Sequence, residues 1–127
     1  MLIGVTKAQL YADAADWIRS EDARDAFGLL IGRAVSLRDY HCELEQHATK
    51  RTFKFCDARN NQPFAAIVNR KWLLFYFRLP SQSHRKYSSG RIEEAFPDVF
   101  ENALGELTIK LRTVGDVQRL WKFLDLR

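Results

Sequence analysis

Residues 51–79 read RTFKFCDARNNQPFAAIVNRKWLLFYFRL, and the period of this stretch decides the fold. Thr52-Phe53-Lys54-Phe55-Cys56 alternates polar and apolar residues, as an antiparallel strand with one wet face does. Asp57-Ala58-Arg59-Asn60-Asn61 is rich in Asp and Asn, whose side chains bond nearby backbone, so it reads as a turn. Pro63 suits the start of a strand, where no ladder N–H is needed, and that strand runs Phe64 to Val68. Asn69-Arg70-Lys71 makes a tight connection to Trp72–Leu79, which is apolar on both faces and therefore central. Trp72, Tyr76 and Arg78 fall on one face of this strand, and Leu73, Phe75, Phe77 and Leu79 on the other. Three strands joined by short turns make a meander.

Upstream the period becomes helical. Thr6 is placed to cap a helix running to about Arg19, with Leu10, Ala14, Trp17 and Ile18 on one face. Ser20 or Asp22 opens a second helix from about Ala23 to Leu37, striped by Ala23, Ala26, Phe27, Leu30, Ile31, Ala34 and Val35. Gly28 and Gly32 lie within that stripe's span and fit either a close helix contact or two tolerated small residues. Residues 38–50 admit two readings. Cys42 and Leu44 alternating with Glu43 and Glu45 suit a short strand, and the same composition suits a helical continuation.

Downstream, Pro80 ends the meander, and residues 81–90 are polar, basic and aperiodic, which reads as a surface loop. Arg91–Phe100 holds a short helix interrupted by Pro97. Leu104–Arg112 returns to alternation, with Leu107, Ile109 and Leu111 inward. Thr113 caps a last helix, with Asp116 in the capping-box position and Val114, Val117, Leu120, Trp121 and Leu124 along its apolar face. The expected architecture is α+β: an antiparallel sheet of four to five strands, with two N-terminal helices and one C-terminal helix packed on one face. Residues 1–127 form a single domain.

Composition agrees with such a domain. The 127 residues are 46% apolar and include nine Phe and three Trp, enough for a core without disulfides or metal. Cys42 and Cys56 make no disulfide framework, although one bridge between them is conceivable, and two scattered thiols fit a reducing cytoplasm. No secretory signal is visible, and the longest apolar run, Trp72–Phe77, is too short to cross a bilayer. A cytoplasmic protein without a membrane partner is expected.

The net charge of +4 conceals an asymmetry. From Lys50 to Arg91 there are ten Lys or Arg residues against one acid, Asp57, which leaves ten basic and fifteen acidic residues in the flanks. The middle is therefore +9 and the remainder −5 by the same count. Such an imbalance bears on partners and not on fold.

No catalytic pattern accompanies it. His41, Cys42, His47 and Cys56 have metal-binding chemistry, but their spacing fits no structural zinc site. Asp98, Glu106 and Lys110 superficially suggest a magnesium nuclease. Glu106 and Lys110, however, are four apart on a strand, about 13 Å, and leave no convergent carboxylates. Ser81, Ser83, Ser88 and Ser89 near His84 lack an orienting acid and an oxyanion site. No Gly-rich phosphate loop occurs. Neither a catalytic residue, a cofactor nor a metal is expected.

Two binding readings remain. Lys50, Arg51, Lys54, Arg59, Arg70, Lys71, Arg85 and Lys86 can meet the phosphates of a nucleic acid, with Tyr87 stacking on a base. The two turns of the meander lie at opposite ends of it, so these charges need not share one surface. Alternatively, Trp72, Tyr76 and Arg78 present an aromatic sheet face to a second copy or to a protein partner.

The segments Lys50-Arg51-Thr52-Phe53-Lys54-Phe55, Phe64-Ala65-Ala66-Ile67-Val68 with Arg70-Lys71, Leu107-Thr108-Ile109-Lys110-Leu111 and Thr113-Val114-Gly115-Asp116-Val117 together resemble a small α+β domain family. That family is described as "predicted transport protein" and occurs alone or attached to restriction-type and other DNA-processing enzymes. The resemblance spans about two-thirds of the chain in short strand motifs. It implies a fold, no catalytic residues and an association with DNA enzymes. His84-Arg85-Lys86-Tyr87 has no counterpart in its pattern, and the chain has no membrane span to suit the transport description. The expectation is a non-enzymatic accessory or binding domain, with nucleic acid the leading partner and self-association the alternative.

Overall fold

The computed structural model describes residues 1–2, 8–82 and 84–127. Thr6, expected to cap the first helix, and Ser83 lie outside the described residues. Helix α1 spans Ala8–Trp17 and α2 spans Glu21–Val35. Strands β1 (Tyr40–His47), β2 (Lys50–Asp57), β3 (Phe64–Val68) and β4 (Leu73–Phe77) follow as a meander. Two short helices, α3 (Leu79–Gln82) and α4 (Ser89–Ala95), flank a 3₁₀ turn at Arg85–Tyr87. Strands β5 (Phe100–Glu101) and β6 (Leu107–Leu111) and helix α5 (Val114–Leu124) complete the chain. The six-stranded sheet has the order β1-β2-β3-β4-β6-β5, and every pair is antiparallel.

Alternation builds the core. Cys42 and Leu44, Phe53 and Phe55, Phe64 and Ala66, Leu73, Phe75 and Phe77, and Leu107, Ile109 and Leu111 all turn to the helices and are buried. Phe53, Phe55, Phe64, Phe75 and Phe77 form a chain of ring contacts across the sheet, mostly edge to face, with Phe53–Phe55 centroids 5.2 Å apart and Phe55–Phe75 6.1 Å. Side chains alternate with period two, so a one-residue slip would turn all five rings to water; the register is strongly fixed. Against these rings pack Ala14 and Ile18 of the α1 segment, Ala23, Ala26, Phe27 and Leu30 of α2, Ile92 of α4, and Val117, Leu120 and Leu124 of α5. The helices thus share one side of the sheet, and the side carrying Glu43, Lys54, Ile67, Leu74 and Tyr76 has no helix over it among the described residues.

Capping follows the sequence. The Ser20 hydroxyl accepts from Ala23 N at 3.2 Å, with Glu21 and Asp22 favourably placed in the positive first turn of α2. At α5 the capping box forms: Thr113 Oγ1 accepts from Asp116 N, and Asp116 Oδ2 accepts from Thr113 N, both at 3.2 Å.

Several expectations are corrected. The sheet has six strands, because residues 40–47 form an edge strand and Phe100–Glu101 adds a two-residue strand beyond β6. The β1–β2 connection turns on Ala48-Thr49, with Ala48 at φ 55°, a conformation more often given to Gly or Asn. The loop at 81–90 contains helical turns, so the C-terminal half holds more than one helical segment. Leu79 is not on the buried face of β4; it opens α3 and is exposed. Cys42 and Cys56 project from opposite faces of neighbouring strands, so the conceivable bridge is not formed and both thiols are free. Gly28 and Gly32 face solvent with nothing within 4 Å of an added Cβ, which removes the close-contact reading. No helix among the described residues is long and apolar enough to cross a membrane.

Candidate polyanion-binding end of the sheet

The antiparallel meander sends its turns to alternate ends. The β1–β2 turn, the β3–β4 turn and the end of β6 lie at one end, joined by the α1–α2 connection, whose Arg19 N and Ser20 N donate to Arg70 O at 2.6 and 3.3 Å. The β2–β3 turn, the exit from β4 and the end of α5 lie at the other. Along β2 the separation from Lys50 to Asp57 is roughly 23 Å at strand rise.

This topology divides the expected basic residues. Lys50, Arg51, Arg70 and Lys71 come together at the first end. Arg59, Arg85 and Lys86 sit at the second, where Lys86 Nζ meets Asp125 Oδ2 at 3.5 Å. Lys54 lies midway on the uncovered face, 2.7 Å from Glu45 Oε1. The Lys54 hydrogen bond holds the Glu45 carboxyl below the usual range. Tyr87 is not available to stack on a base. It is buried against Phe64, with ring centroids 5.2 Å apart, and its hydroxyl donates to Leu124 O in a short bond of 2.5 Å.

The first end also gathers cations that a count along the sequence assigns to the acidic flanks: Arg19, Arg24, Lys110, Arg112 and Arg119. Three cavities run through them. One of about 550 Å³ is lined by Asp16, Trp17, Ile18, Arg19, Arg24 and Arg70. Arg19 also borders a second, of about 320 Å³, together with Ser20, Lys71, Trp72 and Arg112. Arg112 in turn borders the largest, of about 710 Å³, which lies along β6 past the end of β5 and includes Lys110, Arg119, Asp98, Asp116 and the apolar walls Leu74, Phe96, Phe100 and Leu111. The three cavities make a broken trough, with Arg19 the one residue shared at the first join and Arg112 the one shared at the second.

Two tryptophans organise the charge. Over the Trp17 ring lie the guanidinium carbons of Arg51, 4.1 Å from the centroid, and Arg70, 3.8 Å. Over Trp72 lie Lys110 Nζ at 4.4 Å and Arg112 Cζ at 5.7 Å. Strand parity sets the first cluster on the helix side of the sheet and the second on the uncovered side, with the β3–β4 turn between them. Among the described residues, Arg19, Lys50, Arg51, Arg70, Lys71, Lys110 and Arg112 form no ion pair with a carboxylate. Arg51 donates through Nη1 to Thr49 O at 3.0 Å, and its Nε is buried without an acceptor among the described residues. Arg24 is differently employed: its Nε and Nη2 close the carboxyl end of α1 on Ala15 O and Ile18 O.

The expected aromatic interface also divides. Trp72 belongs to the basic end, Arg78 is held by Glu106 Oε2 at 3.2 Å, and Tyr76 remains on the uncovered face within the field of Glu106. Glu106 is thereby occupied in an ion pair and lies apart from Lys110 along β6. Among the described residues no group of three or more His, Cys, Asp or Glu converges on a point. What the trough can do is hold anionic oxygens against fixed cations. Comparisons with protein-family models, with curated proteins and with solved structures return no match.

Proposed function

We propose that the protein binds nucleic acid through the basic end of its sheet. The observation that carries this reading is the pair of tryptophans at one end of the sheet, each bearing two cations that have no carboxylate partner among the described residues. Cations kept only for solubility need no fixed direction, whereas these are held in place by aromatic rings. Arg51 adds to this reading a guanidinium fixed over Trp17 and tied through Nη1 to Thr49 O, with no acceptor for its Nε among the described residues.

An anionic membrane is the competing polyanion. A peripheral membrane surface combines basic residues with apolar side chains that enter the lipid. Of the large apolar residues exposed among those described, Phe100 alone lines the trough, in its largest cavity, and Met1, Val35, Leu79 and Leu104 line none of the three. The reading rests on this geometry and not on the family resemblance.

Fluorescence anisotropy with a generic duplex and a generic single strand, at about 50 and about 200 mM salt, tests it. Binding of at least one that weakens steeply with salt is expected. No binding to either at the lower salt would sink the proposal, and binding to anionic vesicles alone would replace it with the membrane reading.

A second reading is self-association through the uncovered sheet face, where Ile67, Leu74 and Tyr76 have no helix over them among the described residues. Glu43 and Glu45 border this face on β1 and Lys110 borders it on β6. Rotation of a second copy about an axis along the strands brings those opposite borders together. A concentration-independent monomer mass in solution would exclude it.

A further inference from the structure

We infer that the basic end grips the phosphates of double-stranded nucleic acid on both sides of a groove and leaves its bases unread. This inference rests on the nucleic-acid reading above and specifies the form of the ligand. Proteins that hold single strands do so largely by stacking bases on aromatic faces. The aromatic residues flanking the β3–β4 turn are Trp17 and Trp72, both half-buried and both already carrying cations, while the exposed Phe100 lines the trough farther along β6. The Arg70 guanidinium, over the Trp17 ring and without a hydrogen bond to the described residues, has N–H groups left to meet the two oxygens of a phosphate.

The spacing of the two clusters favours a duplex. Arg51 and Arg70 act from β2 and the turn after β3, and Lys110 and Arg112 from β6, so the cluster centres are about two strand spacings apart, roughly 10 Å. They also lie on opposite sides of the sheet, which widens the gap. The major groove of B-form DNA is about 12 Å wide, so clamps at this separation match phosphates of the two strands that flank a groove. The turn between them, Asn69-Arg70-Lys71, forms the ridge that faces the groove. Its long side chains are cationic and carry no carboxylate or carboxamide beyond Asn69, which suits attraction to the backbone more than readout of base edges.

The test compares a short duplex with its separate single strand, and with a second duplex of unrelated sequence, at one low salt concentration. The duplex is expected to bind about tenfold tighter than the strand, a difference of about 1.4 kcal/mol, and the two duplexes to bind alike. Arg70→Gln and Arg112→Gln, one from each cluster, are each expected to weaken duplex binding. A strand that binds as tightly as the duplex while quenching tryptophan fluorescence would show base stacking and overturn the inference, leaving nucleic-acid contact intact. A strong preference between the two duplexes, or loss on Arg70→Gln without loss on Arg112→Gln, would also overturn it. Binding to none of the three would remove the underlying reading as well.

Discussion

Gly28 and Gly32 sit in the interior of α2 on its solvent side, where a methyl group meets nothing. Glycine in a helix interior costs about 0.5–1 kcal/mol relative to alanine, largely through the entropy of the unfolded chain. The double substitution Gly28→Ala, Gly32→Ala is therefore expected to stabilise the fold by about 1–2 kcal/mol, read as a higher urea midpoint with unchanged slope. Cys42 makes a pH argument at the same scale. Burial is the main cause that pushes its thiol up, from about 9 to about 12. Below the ordinary thiol range both states keep the proton. Between about 9 and about 12 the unfolded chain releases it and the native state does not, so stability falls as pH rises through that window. Tyr40 and Tyr76, also raised chiefly by burial, add to the fall at its upper end. Urea midpoints at about pH 8 and about pH 10 are expected to differ less in Cys42→Ala than in the parent. Tyr87 shows what a residue in its local sequence conceals. Its neighbours are polar and basic, so it reads as a surface aromatic; its burial comes from Phe64, Phe123 and Leu124, all distant in the chain.

At the scale of elements, strongly patterned segments were legible and weakly patterned ones were not. Strand β2 has alternating Phe residues and α5 has both an apolar stripe and a capping box, so period and cap agree. Strand β1 lies at the sheet edge and buries only Cys42 and Leu44 within its bounds, a signal too thin to separate strand from helix. Its hairpin turn carries no Gly or Asn at the left-handed position. Strand β5 has two residues and exists only because β6 lies beside it. The α1–α2 corner is likewise set by long-range bonds, and Arg24 is its fastener. Arg24→Ala removes two hydrogen bonds from a guanidinium to backbone carbonyls and is expected to cost about 1–2 kcal/mol in a urea melt. Arg70→Gln, whose guanidinium makes no hydrogen bond to the described residues, is expected to change stability by much less. A similar loss in both variants would mean that Arg70 serves the fold and not a ligand.

At the scale of the whole molecule, charge counted along the chain and charge gathered by the fold differ. The basic middle of the sequence is shared between two ends of the sheet, and the end that collects more unpaired cations draws Arg19, Lys110 and Arg112 from flanks that are acidic on average. No window on the sequence contains that surface, because antiparallel strands bring together turns that are twenty or more residues apart. Location can be separated from net charge with two double variants. Arg70→Gln with Lys71→Gln removes two cations from the trough; Arg59→Gln with Arg85→Gln removes two from the opposite end. Each lowers the net charge from +4 to +2, so non-specific attraction to a polyanion falls equally in both. Each lost phosphate contact lowers the slope of log K against log salt by about 1. The first variant is therefore expected to lose about 2 from the slope and to bind duplex more weakly at every salt concentration, while the second keeps the parent slope. Equal losses in the two would show that overall charge carries the binding, and that the tryptophan-backed cations are not its seat.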